Sequence, residues 1–112
     1  MDCLFCKIAD HSISSKIRYE DEMFIAFDDI NPQAETHILI IPKQHITSVI
    51  ELAEKDKPMI SNLVFTAKKI ASDLELDKTG YRLVFNSGPD AGQVVGHIHL
   101  HLLGDSKLGP IA

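Results

Sequence analysis

The residues best equipped for chemistry in this chain are His97-Ile98-His99-Leu100-His101. They include three of its six histidines. Side chains alternate between the two faces of a β-strand. A strand over 97–103 therefore puts His97, His99 and His101 on one face, neighbouring imidazoles about 6–7 Å apart. Ile98, Leu100 and Leu102 take the other face and can enter a core. Imidazoles accept protons, ligate metals and attack electrophiles. One use of such a face is a catalytic zinc site with three histidine ligands. The other is covalent catalysis, with one imidazole as nucleophile and its neighbours binding oxygens of the electrophile.

The segment that leads into this run is Asn86-Ser87-Gly88-Pro89-Asp90-Ala91-Gly92-Gln93-Val94-Val95-Gly96. Glycine permits positive φ and close backbone approach. Successive N–H groups can then form a concavity for an anion. Directly before three same-face histidines, such a loop points to phosphate rather than to a bare metal. A neutral imidazole is a competent nucleophile toward phosphorus near neutral pH, because its ordinary pKa is about 6.5.

Other elements must position these residues. Leu4 and Ile8 are spaced for a short helix over 3–9. Two β-prone runs around Glu20-Asp21-Glu22 predict a hairpin over 17–30. A β-branched strand over 36–41 ends at Pro42, with His37, Leu39 and Ile41 on one face. A helical turn is expected over 48–52. Asp56-Lys57-Pro58 resembles a helix start. Met59, Leu63, Ala67, Ile70, Ala71 and Leu74 then follow helical spacing. Gly80 is the expected stop, and a strand over 81–86 follows. Residues 1–112 read as a single α+β domain, a mainly antiparallel sheet with one dominant helix on a face.

A chain of 112 residues can bury an adequate core without disulfides. The net charge of −5 and the scattered Lys and Arg argue against long nucleic acid as a partner. No apolar run is long enough for a membrane span, and the N-terminal residues lack a signal-peptide pattern. A cytoplasmic location is the expectation.

Several separated motifs resemble one family in order along the chain. They are Leu4-Phe5-Cys6-Lys7-Ile8, Phe27-Asp28-Asp29-Ile30-Asn31-Pro32-Gln33-Ala34, the stretch from Thr36 through His45-Ile46, Gly80-Tyr81-Arg82-Leu83-Val84, Gly92-Gln93 and the His-x-His-x-His run with its following apolar residues. Together they resemble the histidine-triad (HIT) family, in its nucleotide-binding branch. The resemblance implies a five-stranded sheet with one long and one short N-terminal helix, the sheet extended edge to edge across a homodimer. It implies hydrolysis of purine nucleoside 5′-phosphoramidates, conjugates of AMP or GMP with an amine. Hydrolysis of dinucleoside polyphosphates, and a nucleotide-binding regulatory role with little catalysis, are the alternatives.

By position, the resemblance makes His99 the nucleophile and His101 a phosphate contact. His97 buttresses the strand and helps fix the tautomer of His99, and His37 sits beside the site. Asn86, Gly92, Gln93 and Val94 are expected to hold phosphate and ribose oxygens. Asp29 is expected on the ribose hydroxyls with Ile30 beside it. Phe5, Ile8, Ile13, Asp28 and Leu39 are expected to line the base pocket. Val94 stands where relatives often carry a serine near the leaving group. Gly96 replaces a common aromatic, and little tail follows Gly109-Pro110 to shape leaving-group specificity.

Cys3 and Cys6 form a Cys-x-x-Cys pair. No strand is expected before it, so the setting of a thioredoxin-like redox motif is missing. A closed zinc site needs four N or S ligands. The resemblance supplies two more, His45 and His97. Catalysis itself is expected to need no cofactor, and structural zinc is the one bound group anticipated. His11 is expected to be solvated.

Overall fold

Alternating apolar residues build a sheet with two different faces, and one of them becomes the site. The computed structural model describes residues 3–111. Its strands are β1 (Ile17–Glu20), β2 (Phe24–Asp28), β3 (Thr36–Pro42), β4 (Tyr81–Phe85) and β5 (Leu100–Gly104). They form one sheet in the order β1-β2-β3-β5-β4, with every neighbouring pair antiparallel. Helix α1 is Leu4–Ala9 and helix α2 is Lys57–Asp73. This is the expected α+β architecture, with five strands, one long helix and one short helix.

On one face Phe24, Ala26, Ile38, Ile40, Leu100 and Leu102 pack against Met59, Leu63, Ala67, Ile70 and Ala71 of α2. On the other face Ile25, Phe27, Leu39 and Ile41 pack against Cys3, Phe5 and Ile8 of the N-terminal segment. The strand period of two separates these sets. Because α1 is short, it covers only part of its face, and His37, His99 and His101 line the remainder.

Two boundaries differ from the sequence expectation. The last strand begins at Leu100, so His97, Ile98 and His99 precede it. Leu100 pairs with Ile40, and two steps further along β3 stands Pro42, which has no N–H to extend the ladder. The amide of Ile98 instead donates to the carbonyl of Ile46 at 2.6 Å. Helix α2 ends before Gly80, at Asp73. Glu75 takes the left-handed conformation at φ +61° and turns the chain. The turn sends Leu76 into the core, where it lies fully buried over Gly104.

Candidate active site

The imidazoles of the triad are held in different ways, and each tautomer follows from its partners. The Gln33 backbone N–H donates to His37 Nδ1 at 3.0 Å. His37 therefore carries its proton on Nε2, which lies 2.9 Å from His101 Nδ1 and donates to it. That leaves the proton of His101 on Nε2, a buried atom with no hydrogen-bond partner among the described residues. An unpaired buried donor is costly unless a ligand accepts from it.

His99 is set the opposite way round. Its Nδ1 donates to the His97 carbonyl at 2.7 Å. A neutral ring then has its lone pair on Nε2. Phe5 packs edge to face with this ring, centroids 5.1 Å apart, and the His101 ring stands 5.0 Å away. A lone pair and an N–H donor thus stand side by side at one cleft.

Burial pushes the His101 pKa down to about 4, aided by neighbouring His99 and His37. His37 is also lowered, mainly by burial and against the pull of Asp29. Both rings are neutral at pH 7, as the hydrogen-bonded chain requires. The Asp29, His37 and His101 donor atoms lie close enough to hold a cation. The proton between the two rings already occupies that gap.

The cleft has a volume of about 630 Å³, within the usual range for small-molecule sites. It brings together Phe5, Ile8, Ile13, Asp28, Asp29, Ile30, His37, Leu39, Asn86, Gly92, Val94, His99 and His101. All were expected there from the sequence. Asp29 also caps its own turn, accepting from the Asn31 N–H at 2.8 Å. Asp28 is tied to Arg18 at 3.1 Å. Val94 and Ile30 form an apolar rim, 92% and 88% exposed.

Gln93 departs from expectation. Its side chain accepts from Gly88 N–H at 2.8 Å and donates to the carbonyls of Thr47 and Val95. It braces the loop and does not line the cleft. His11 is exposed, as expected, and pairs on the surface with Glu20 at 2.8 Å. Residues that the sequence did not flag also line the cleft, among them Ser14, Ser15, Phe27, Gln33 and Val95. Phe27 was within reach, because it is the cross-strand partner of Leu39. Gln33 acts through its backbone, which carries no side-chain signal.

His97 faces away from this cleft and is fully buried. Its Nε2 donates to the Pro42 carbonyl at 2.8 Å, leaving the Nδ1 lone pair 3.4 Å from the sulfurs of both Cys3 and Cys6. His45 Nδ1 lies 3.2 Å from His97 Nδ1 and 3.2 Å from Cys6 Sγ. The four donors are mutually within 4.8 Å. A tetrahedral zinc with two sulfur and two nitrogen ligands has edges of about 3.3–3.8 Å. The Pro42 bond is the outer contact that orients a ligating histidine. The cluster fits a structural zinc in ligand type and spacing. Without a metal, burial and the neighbouring Cys3 push the Cys6 thiol up to about 11. Since His97 turns to the cysteines, the three triad rings do not converge on one point. The geometry does not build the three-histidine catalytic zinc site.

The profile of a family described as scavenger mRNA decapping enzyme C-terminal binding matches residues 2–111. The chain is 42% identical over 110 residues to a purine nucleoside phosphoramidase of Escherichia coli K12, covering 98% of this chain and 92% of that protein. It is similar to a HIT family hydrolase from Legionella pneumophila, with TM-score 0.95, 47% identity and 96% of each chain covered. A histidine triad protein from Clostridium difficile superposes with TM-score 0.96 at 43% identity, covering 100% of this chain and 97% of that one. By fold, triad geometry and these likenesses, the chain belongs to the histidine-triad family.

Proposed function

We propose that this protein is a hydrolase of purine nucleoside 5′-phosphoramidates that works through a nucleotidyl intermediate on His99. The observation that carries this reading is the pair of opposite tautomers at the cleft. His99 Nε2 holds a lone pair, and His101 Nε2–H is a buried donor with no partner among the described residues. His99 Nε2 attacks the phosphorus while His101 donates to a phosphoryl oxygen. The P–N bond to the amine breaks, and the amine leaves with a proton from the His101–His37 side. Water then attacks the phosphorus and the bond to Nε2 breaks. The products are the nucleoside monophosphate and a regenerated imidazole, with the water proton passing back to that side. Phe5, Ile8, Phe27 and Leu39 offer an apolar slot suited to a purine.

Zinc at Cys3, Cys6, His45 and His97 belongs to the same reading. When bound, it supplies a cross-link between the N-terminal helix and the segment before β5, with no step in the reaction. A homodimer through β4 also belongs to it. This strand is at one end of the sheet, its residues half-buried in the single chain. An unpaired edge of that kind is a template for a second copy.

The test is His99→Ala, assayed with adenosine 5′-phosphoramidate. Turnover and the covalent adduct are expected to vanish while AMP still binds. Retained turnover overturns the reading. A light-scattering mass of one chain overturns the dimer alone.

A further inference from the structure

We propose that Cys3 and Cys6 form a reversible disulfide that excludes metal from their site, and that the state of this pair reaches His99 through His97. The inference rests on the zinc reading above. Cys3 is the residue before the first turn of α1, and Cys6 lies within that turn. The Cys6 N–H already points at Cys3 Sγ, 3.3 Å away. Both sulfurs face His97 Nδ1 at 3.4 Å. Bringing the sulfurs into bonding contact with each other moves them off the positions that face His45 and His97. One arrangement holds a metal and the other holds a disulfide, and the same two atoms cannot serve both. Thiol pairs in reducing compartments that do oxidise tend to be transient and redox-sensing.

The oxidant is a hydroperoxide. With hydrogen peroxide, two thiolates on the metal lose two electrons and form one S–S bond. The O–O bond breaks, two protons are taken up, and two waters and one free divalent ion leave. Half-buried Cys6 is the sulfur open to attack, giving a sulfenic acid; buried Cys3 then attacks its sulfur, the S–S bond forms, the S–O bond breaks, and the departing hydroxide takes a proton to leave as water. A dithiol reverses the reaction by exchange.

His97 makes the event felt at the active site. Its ring belongs to the four-donor cluster, while its carbonyl accepts the Nδ1–H of His99 at 2.7 Å. Opening the cluster removes the two sulfur partners of His97 Nδ1 and frees that residue to shift. The hydrogen bond that keeps the lone pair on His99 Nε2 then weakens. Ile8, Phe27 and Leu39, which line the purine slot with Phe5, are outside the four-donor cluster.

The full chain, reduced and loaded with zinc, is treated with equimolar hydrogen peroxide. Zinc release is followed with a chromogenic chelator, thiols by titration, and the product by intact mass. Release of zinc together with both thiols is expected, with the protein lighter by two hydrogens. Turnover is expected to fall about tenfold with unchanged AMP affinity, and to return with dithiothreitol and zinc. General structural damage would instead weaken AMP binding. Zinc retained through oxidation, or a heavier sulfinic product, overturns the inference and leaves the zinc reading intact. A reduced chain that takes up no zinc overturns the zinc reading, and mutual exclusion with it. Full turnover in the oxidised, metal-free chain overturns the link to His99.

Discussion

His37 Nε2 donates to His101 Nδ1 across 2.9 Å, and this bond decides which nitrogen of His101 faces the cleft. The donor is set in turn by the Gln33 backbone N–H on His37 Nδ1. His37→Ala removes the relay and leaves His101 free to take either tautomer. We expect kcat to fall about 10–100-fold, with a smaller change in AMP affinity. Steady-state kinetics beside calorimetric AMP binding separates the two effects. Equal loss of both would reduce His37 to a packing role.

The depressed pKa of His101, about 4, gives stability a pH dependence with a definite sign. In the unfolded chain a histidine takes its proton near pH 6.5. Between these values the unfolded state binds more protons, so stability rises with pH across the window. The contribution is present above about pH 6.5 and is lost as pH falls toward 4. After discounting for partial exposure it amounts to about 2 kcal/mol. His37 is lowered as well and acts in the same direction. Urea unfolding at stepped pH reads this slope, and a flat profile between pH 6.5 and 4 would refute it.

Gln93 is a brace, so its loss acts on the loop. Gln93→Ala deprives the Gly88 N–H and the Thr47 and Val95 carbonyls of their partner. A cost of about 1–3 kcal/mol is expected. Hydrogen exchange at the Gly88 amide is expected to accelerate and KM to rise. Unchanged exchange at Gly88 would contradict the bracing role.

Val94 is 92% exposed at the cleft rim and offers no hydroxyl to a departing amine. Val94→Ser supplies one at little structural cost, since surface changes usually stay within about 0.5 kcal/mol. A rise in kcat of up to about tenfold is expected for an amine leaving group. Comparing a poor amine with a good one would isolate leaving-group protonation, whose signature is a larger gain for the poor amine.

Gly104 leaves space for Leu76. A Cβ there would sit 2.9 Å from Leu76 Cδ2 and 3.2 Å from Cδ1. Leu76 is fully buried, so it has little room to yield. Gly104→Ala is expected to cost about 1–3 kcal/mol. This contact is on the α2 face of the sheet, so activity of the folded protein should persist. A stability equal to the parent in denaturant would show that the core yields there.

The triad and the two-faced sheet are legible from order alone, whereas the cleft residues named from the sequence follow from the family resemblance. Strand parity puts Leu39 with His37, and Leu100 and Leu102 opposite His101, whatever the rest of the chain does. Covalent spacing also makes Cys3 and Cys6 neighbours. The chain order could not say which nitrogen of each ring carries the proton. That choice belongs to the Gln33 amide and to the carbonyls of His97 and Pro42, and backbone groups look alike in every sequence. Nor could the order show that His97 leaves its two companions. Pro42 ends the regular pairing, and His97 turns its lone pair toward a cysteine pair 91 and 94 residues earlier in the chain. The bracing role of Gln93 is hidden from the chain order for the same reason. Its motif marked it for phosphate, but its amide is held by carbonyls that only the folded loop brings within reach.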